Sequence, residues 1–164
     1  MSGTLPISIA SLFMLPHKHA IISAAVGAVG WWGTGEPAAC VAALTSGVLP
    51  DIDHIIDYSY YRWRGDHRLI LPLHGYEFAL LGAVAALFTS NKILGVAVLS
   101  YFIHLLADQA ENRTHKLGYS LLFRAWYRFR IEDISTIPEA AIRGRVDDIE
   151  LLKGLLGRRQ NRKG

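Results

Sequence analysis

The sequence predicts an all-α protein: four apolar helices arranged as two hairpins with a polar, metal-binding end, followed by amphipathic C-terminal helices. Three observations predict it. Apolar runs at residues 20–32, 38–49, 76–89 and 93–107 are joined by short breaks at 33–36 and 90–92 and by a long polar stretch at 51–75. A short break between two such runs makes antiparallel neighbours. Hydrophobic residues make up 51% and charged residues 19% of the 164 residues, on the apolar side of an ordinary domain. Finally, the residues with ligand chemistry collect where the apolar runs begin and end.

By length the chain is one domain with a sizeable core. Residues 1–131 read as a membrane-associated helical unit, and residues 132–164 as amphipathic helices with a basic tail. The net charge of +3 hides an asymmetry. Before Asp51 the only formal side-chain charges are Lys18 and Glu36, whereas the chain after Asn112 is dense in Arg and Lys. The single Cys40, set among Ala and Val, excludes an intrachain disulfide and a Cys-based zinc cluster and reads as a packed thiol. The N-terminus has neither a basic n-region nor an A-x-A-like site, so no cleaved signal peptide is expected.

Taken in order, residues 4–15 are apolar but too short to span a bilayer. His17-Lys18-His19 opens the first long helix, in which Gly27 and Gly30 permit close packing of a neighbour. Gly33 to Pro37 breaks it, with Pro37 placed to start the next helix. That helix ends at Leu49-Pro50-Asp51-Ile52-Asp53-His54, where Pro50 disfavours helical geometry at Leu49. Gly65 and Pro72 argue for a loop across 51–75. The third and fourth helices follow, the latter ending near Asp108. Phe123 to Arg130 alternates aromatic and basic residues, Ser135 to Glu139 suggests a helix start, and residues 147–156 carry an apolar stripe before a basic end at 158–163.

In two up-down hairpins, the starts of helices one and three and the ends of two and four share one end. His17, His19, Asp51, Asp53, His54, His67, His74, Glu77, His104 and Asp108 therefore gather there, while the opposite end has only Glu36 and Lys92 charged. His104 and Asp108, four apart, point from one helix face. A carboxylate at a helix C-terminus opposes the macrodipole, which hints at a cation near Asp108. Taken singly, His104 reads as a hydrogen-bonded core residue and the acidic hexapeptide as a capped loop; the convergence at one end favours a metal. The candidate ligands are His19, Asp51, Asp53, His54, His67, His74, His104 and Asp108. His74, at a helix start facing Glu77, outranks His67 in its loop. An all-nitrogen-and-oxygen set suits Zn, Mn, Fe or Ni better than Mg or Ca. Eight candidates exceed the four ligands of one zinc, so one or two ions are expected, with Asp51 or Asp53 bridging.

These residues carry a resemblance. His19-Ala20-Ile21-Ile22-Ser23, Leu49 to His54, His67-Arg68 followed by His74, and Tyr101 to Asp108 resemble the YdjM-type family, described as LexA-binding, inner-membrane-associated metal-dependent hydrolases. Trp126 to Ile131 is similar to the segment with which such chains often end. The resemblance spans about residues 17–131 and rests on the PDxDH and HxxxD elements. The family's usual H-R-x-x-T-H-S is two residues longer here and lacks the Thr and Ser, and the Thr-Pro usual after HxxxD is absent. The resemblance implies a metal hydrolase without naming a substrate. Zinc-dependent phospholipase C offers a weaker analogy, with a similar order of His and Asp ligands.

Runs of 13–16 residues give roughly 20–24 Å of helix, short of a ~30 Å hydrocarbon core. Yet they are apolar nearly all round, and Trp31, Trp32, Tyr76 and Tyr101 sit where interfacial belts would. A chain in or on the inner membrane is expected, with Arg62, Arg64, Arg68, the basic tail and the metal end on the cytoplasmic side. The function expected is a phospholipase-like phosphoesterase that uses metal-activated water on a lipid or other phosphorylated substrate. In that reading Asp51, Asp53 or Glu77 serves as base or partner of a ligating His, and Arg64 and Arg68 hold the phosphate. The alternative is a non-enzymatic membrane protein whose metal is structural and whose tail binds anionic lipid or a protein partner. Nucleic-acid binding is disfavoured, because the basic residues are few and no reading motif accompanies them.

Overall fold

The computed structural model describes residues 16–112 and 114–143. The expected C-terminal helix at 147–156, the basic end at 158–163 and the apolar stretch at 4–15 lie outside them. Among the described residues the protein is all-α, with two isolated bridges, Arg68 to Arg130 and Thr114 to Ser135, and no strand. Its helices are α1 (Pro16–Thr34), α2 (Ala38–Val48), a 3-10 helix (Leu49–Asp53), α3 (His54–Arg64), α4 (Tyr76–Thr89), α5 (Lys92–Asn112), α6 (Leu121–Trp126) and α7 (Ile131–Ile134).

One element departs from expectation. Residues 54–64, read as loop, form α3. Pro50 ends α2, but its missing N–H costs nothing at the start of the 3-10 helix, which turns the chain without unwinding it. No Gly or Pro occurs between Ile52 and Arg64, and Gly65, at φ 72°, caps α3 in the left-handed conformation with its N–H on the Tyr61 carbonyl. Its polar and aromatic composition, with a carboxylate as its buried residue, hid the helix.

α1 packs on α2 and α5, α2 on α5, and α4 on α5. Small residues set the spacing. A Cβ on Gly47 would lie 2.0 Å from Ser23 Oγ and 2.6 Å from Ser100 Oγ, so α1, α2 and α5 meet where only glycine fits. Gly27 lies against Cys40 of α2 and Gly30 against Val96 of α5, the close approaches expected of them. Ser46 Oγ donates to the Ala97 carbonyl and Ser100 Oγ to the Ala43 carbonyl, both at 2.8 Å, tying α2 to α5.

The interior is unusually polar and the exterior unusually apolar. His19, Ser23, Asp53, His74, Ser100, His104, Asp108 and Arg124 are buried, whereas Trp32, Leu87 and Phe88 are at least 80% exposed. Two stretches, Ala38–Arg64 and Lys92–Asn112, are long and apolar enough to cross a membrane, and only 28% and 22% of their most apolar windows are buried. A core helix of a water-soluble domain would be mostly covered. These helices present their apolar surface outward, as lipid contact requires.

The chain after α5 folds back onto the loop between α3 and α4. Leu69 N donates to the Phe129 carbonyl at 2.7 Å, and Ile131 N to that of His67 at 3.1 Å. Ile131, Ile134 and Arg124 are buried in this contact.

Candidate metal centre

Four elements deliver the cluster. His19 lies in the first turn of α1, and Asp51 and Asp53 lie on the 3-10 helix. His74 ends the loop before α4, and His104 and Asp108 sit one turn apart on α5. His74 Nε2 and His104 Nε2 are 2.9 Å apart. Asp108 Oδ2 is 3.1 Å from the first and 3.4 Å from the second. Asp51 Oδ1 is 3.7 Å from both. His19 Nε2 meets the other Asp108 oxygen at 2.9 Å, and its ring lies 4.0 Å from that of His104.

The outer atoms of the two imidazoles fix their protonation. His104 Nδ1 is 2.9 Å from the Gly47 carbonyl, which can only accept, so Nδ1 carries the proton. His74 Nδ1 lies 3.0 and 3.1 Å from the two oxygens of Asp53 and donates there. In the neutral rings both Nε2 atoms are then lone pairs facing each other, with two carboxylates alongside. Such a set has the chemistry to hold a cation. A carbonyl or carboxylate holding Nδ1–H while Nε2 points inward is the usual support of a metal-bound histidine. Donor spacings of 2.9–3.7 Å bracket the ~3.3 Å edge of a tetrahedron with bonds of about 2 Å. Among the described residues, His19 Nδ1 and Asp51 Oδ2 are buried without a hydrogen-bond partner.

Donor atoms of His19, Asp51, His104 and Asp108 lie within 4.8 Å of one another, as do those of Asp51, His54 and His74. Asp51 belongs to both groups. Burial works against charge on His74, yet the carboxylates of Asp108, Asp51 and Asp53 outweigh it and push the imidazole up to about 10. Without a metal, the cluster thus keeps a proton on His74.

The other predicted site residues have different surroundings. Asp53, fully buried, orients His74 and also accepts the Leu73 N–H at 2.8 Å. His54 stands at the rim, its side chain 52% exposed. His67 lies outside both groups; its ring packs 5.2 Å from Tyr61 and its carbonyl accepts from Ile131. Glu77 does not face His74. Its carboxylate accepts from Ser120 Oγ and from the N–H groups of Leu121 and Leu122, capping α6. Arg68 pairs with Asp66 at 3.1 Å.

Three supporting residues escaped the sequence reading. Asp57, one turn after Asp53, accepts the Ile70 N–H at 2.7 Å. Tyr101 donates to the Leu73 carbonyl at 2.6 Å and accepts from Gly75 N. Arg124, from the stretch that alternates aromatic and basic residues, is fully buried and donates to the carbonyls of Leu71 and His74. Only Asp57 left a signal, its i, i+4 spacing from Asp53.

The family model for YdjM inner membrane protein matches residues 14–138. No curated protein and no solved structure matches the chain.

Proposed function

The chain belongs to the YdjM inner membrane protein family, and from that premise we propose that it is a membrane-associated, metal-dependent hydrolase of phosphoric esters. The observation that carries this reading is the pair of facing Nε2 atoms on His74 and His104, flanked by Asp51 and Asp108. His19, Asp51, His74, His104 and Asp108 would hold the ion, with His54 and Asp51 available to a second. Zinc fits this donor set best, and manganese or iron also suit it. Bound there, a divalent ion supplies Lewis-acid activation of water and of a phosphoryl oxygen.

The chain's own residues do the rest. Asp53 and the Gly47 carbonyl hold the two imidazoles in the tautomer that turns Nε2 inward. Asp51 Oδ2, without a hydrogen-bond partner among the described residues, serves a second ion or, with one ion bound, accepts the proton of an attacking water. The inner-membrane family and the exposed apolar helices support membrane association. Arg62 and Arg64 at the end of α3 favour a cytoplasmic location for the metal end, with anionic lipid as the neighbour of its basic surface.

The test is elemental analysis of the purified protein, followed by hydrolysis assays with soluble phosphomonoesters and phosphodiesters. We expect one or two zinc ions per chain and turnover that disappears in His104→Ala. Stoichiometric metal with no hydrolysis of either ester class would mark the centre as structural, in a scaffold or binding protein.

A further inference from the structure

All four tryptophans of the chain are at least 50% exposed, although tryptophan is largely covered in water-soluble domains. They form two pairs. Trp31 and Trp32 lie near the end of α1, beside the turn into α2. Trp63 lies in the last turn of α3, and Trp126 ends α6. The second pair shares one end of the fold, because the chain just beyond each is joined: Leu69 N donates to the Phe129 carbonyl and Ile131 N to that of His67. Tyr76 and Tyr101, expected in the second belt, are half-buried instead. Their hydroxyls are bonded to Gln109 and to the Leu73 carbonyl.

α3 turns its apolar residues outward. Ile55, Ile56, Ser59 and Trp63 fall on one helix face and are all exposed, whereas Asp57 is buried on the other. On α6, Leu122 and Trp126, four apart, form a second exposed strip. Arg62, Arg64 and Arg128 are exposed beside these strips, and the Arg64 guanidinium lies 4.8 Å over the Trp63 ring. The nearby carboxylates are already engaged, Asp66 by Arg68 and both Glu132 and Asp133 by Arg130. Exposed Trp and Ile flanked by Arg suit a helix that lies in a membrane interface.

Helix length gives the same level. α5 has 21 residues, about 31 Å of helix, against a ~30 Å hydrocarbon core. Gly30 meets Val96, which sets the start of α5 beside the Trp31 and Trp32 end. Asn112, at the far end of α5, donates to Tyr119 OH two residues before α6 begins. The two tryptophan pairs are thus about one membrane thickness apart.

We propose that the exposed faces of α3 and α6 form an interfacial anchor for anionic phospholipid. Trp63 and Trp126 sit at headgroup depth, with Arg62, Arg64 and Arg128 on lipid phosphate. Within Ala38–Arg64, α2 then does the crossing and α3 stays at the interface. The inference rests on the membrane association in the proposed function and not on its hydrolytic chemistry.

The test uses the full chain in nanodiscs, as two variants that each keep one tryptophan pair: Trp31→Phe with Trp32→Phe, and Trp63→Phe with Trp126→Phe. Phosphatidylcholine brominated near the headgroup should quench Trp63 and Trp126 more than the same lipid brominated at its chain ends, and aqueous acrylamide should quench them weakly. Brominated phosphatidylglycerol at equal mole fraction should quench this pair about twofold more than brominated phosphatidylcholine. That excess should vanish in Arg62→Gln, Arg64→Gln and Arg128→Gln combined, and shrink at high salt. Trp31 and Trp32 should show the depth dependence without the preference. Equal quenching of Trp63 and Trp126 by the two lipids would overturn the proposal. So would strong acrylamide quenching of this pair without bromolipid quenching; Trp31 and Trp32 then decide whether the membrane reading survives, by their own quenching by bromolipid. Shielding of Trp63 and Trp126 from both quenchers, lost on dilution, would assign the face to a second copy of the chain and overturn the proposal likewise.

Discussion

His74 and His104 point their Nε2 atoms at each other across 2.9 Å, while the Nδ1 of each is held by an acceptor on the far side, Asp53 for one and the Gly47 carbonyl for the other. Neutral rings in this arrangement oppose lone pair to lone pair in a buried, carboxylate-lined space. A proton on His74 relieves the opposition in the absence of metal, and a divalent ion relieves it with better geometry.

Removing an inward donor and removing its support should differ in degree. His104→Ala should abolish stoichiometric metal. Asp53→Asn keeps the shape but weakens the hold on His74 Nδ1, and metal affinity should fall about 10–100-fold, the usual cost of losing such a partner. Metal titration with a competing chelator measures both. Equal losses in the two variants would place Asp53 among the direct ligands.

Metal binding should release protons at neutral pH. His74 is pushed up to about 10, above its ordinary 6.5, so the metal-free fold gains stability from that proton below pH 6.5 and loses the gain as pH rises toward 10. A metal must displace the same proton. Between these limits affinity should rise about tenfold per pH unit for each proton displaced. Calorimetry in buffers of different ionisation enthalpy counts the protons; a count of zero at pH 7 would contradict a protonated His74.

Gly47 serves both packing and chemistry, because its missing Cβ admits Ser23 and Ser100 and its carbonyl holds His104. Gly47→Ala should cost roughly 1–3 kcal/mol, as overpacking does, and should lower metal affinity by shifting that carbonyl. Thermal unfolding in detergent and the chelator titration measure the two effects. A variant with wild-type stability and affinity would show that α2 can move away freely.

The core of the candidate site was legible because its residues sit at the ends of apolar runs. His19, Asp51, His104 and Asp108 could be brought together by connectivity alone, since short turns force antiparallel neighbours. His74 followed from its place just before α4. What connectivity could not show was the division of labour. Asp53 alternates with Asp51 as a ligand would, yet the 3-10 helix turns it onto His74 Nδ1. Glu77 is one turn beyond His74, yet its carboxylate is claimed by the start of α6, more than forty residues later. α3 was missed because its composition is polar and aromatic overall and its inward contact is made by a carboxylate, Asp57.

Arg124 offers the sharpest test of long-range support, since nothing in its setting of Arg alternating with Trp, Tyr and Phe links it to His74, fifty residues earlier. Its guanidinium is buried and donates to the carbonyls of Leu71 and His74, bracketing the loop that presents the His74 ring. Arg124→Met fills much of the space but takes its donor from the buried His74 carbonyl, at about 1–3 kcal/mol, while the Leu71 carbonyl keeps the His74 N–H. Stability should fall accordingly. Metal affinity should fall with it, although Arg124 touches no proposed metal donor atom, because the loop holding His74 loses its anchor. Arg124→Lys keeps the charge and one donor, so it should fall between wild type and Arg124→Met in both measurements. If Arg124→Met binds metal as tightly as wild type while being less stable, the anchor serves the fold alone, and Asp53 and Tyr101 suffice to set His74.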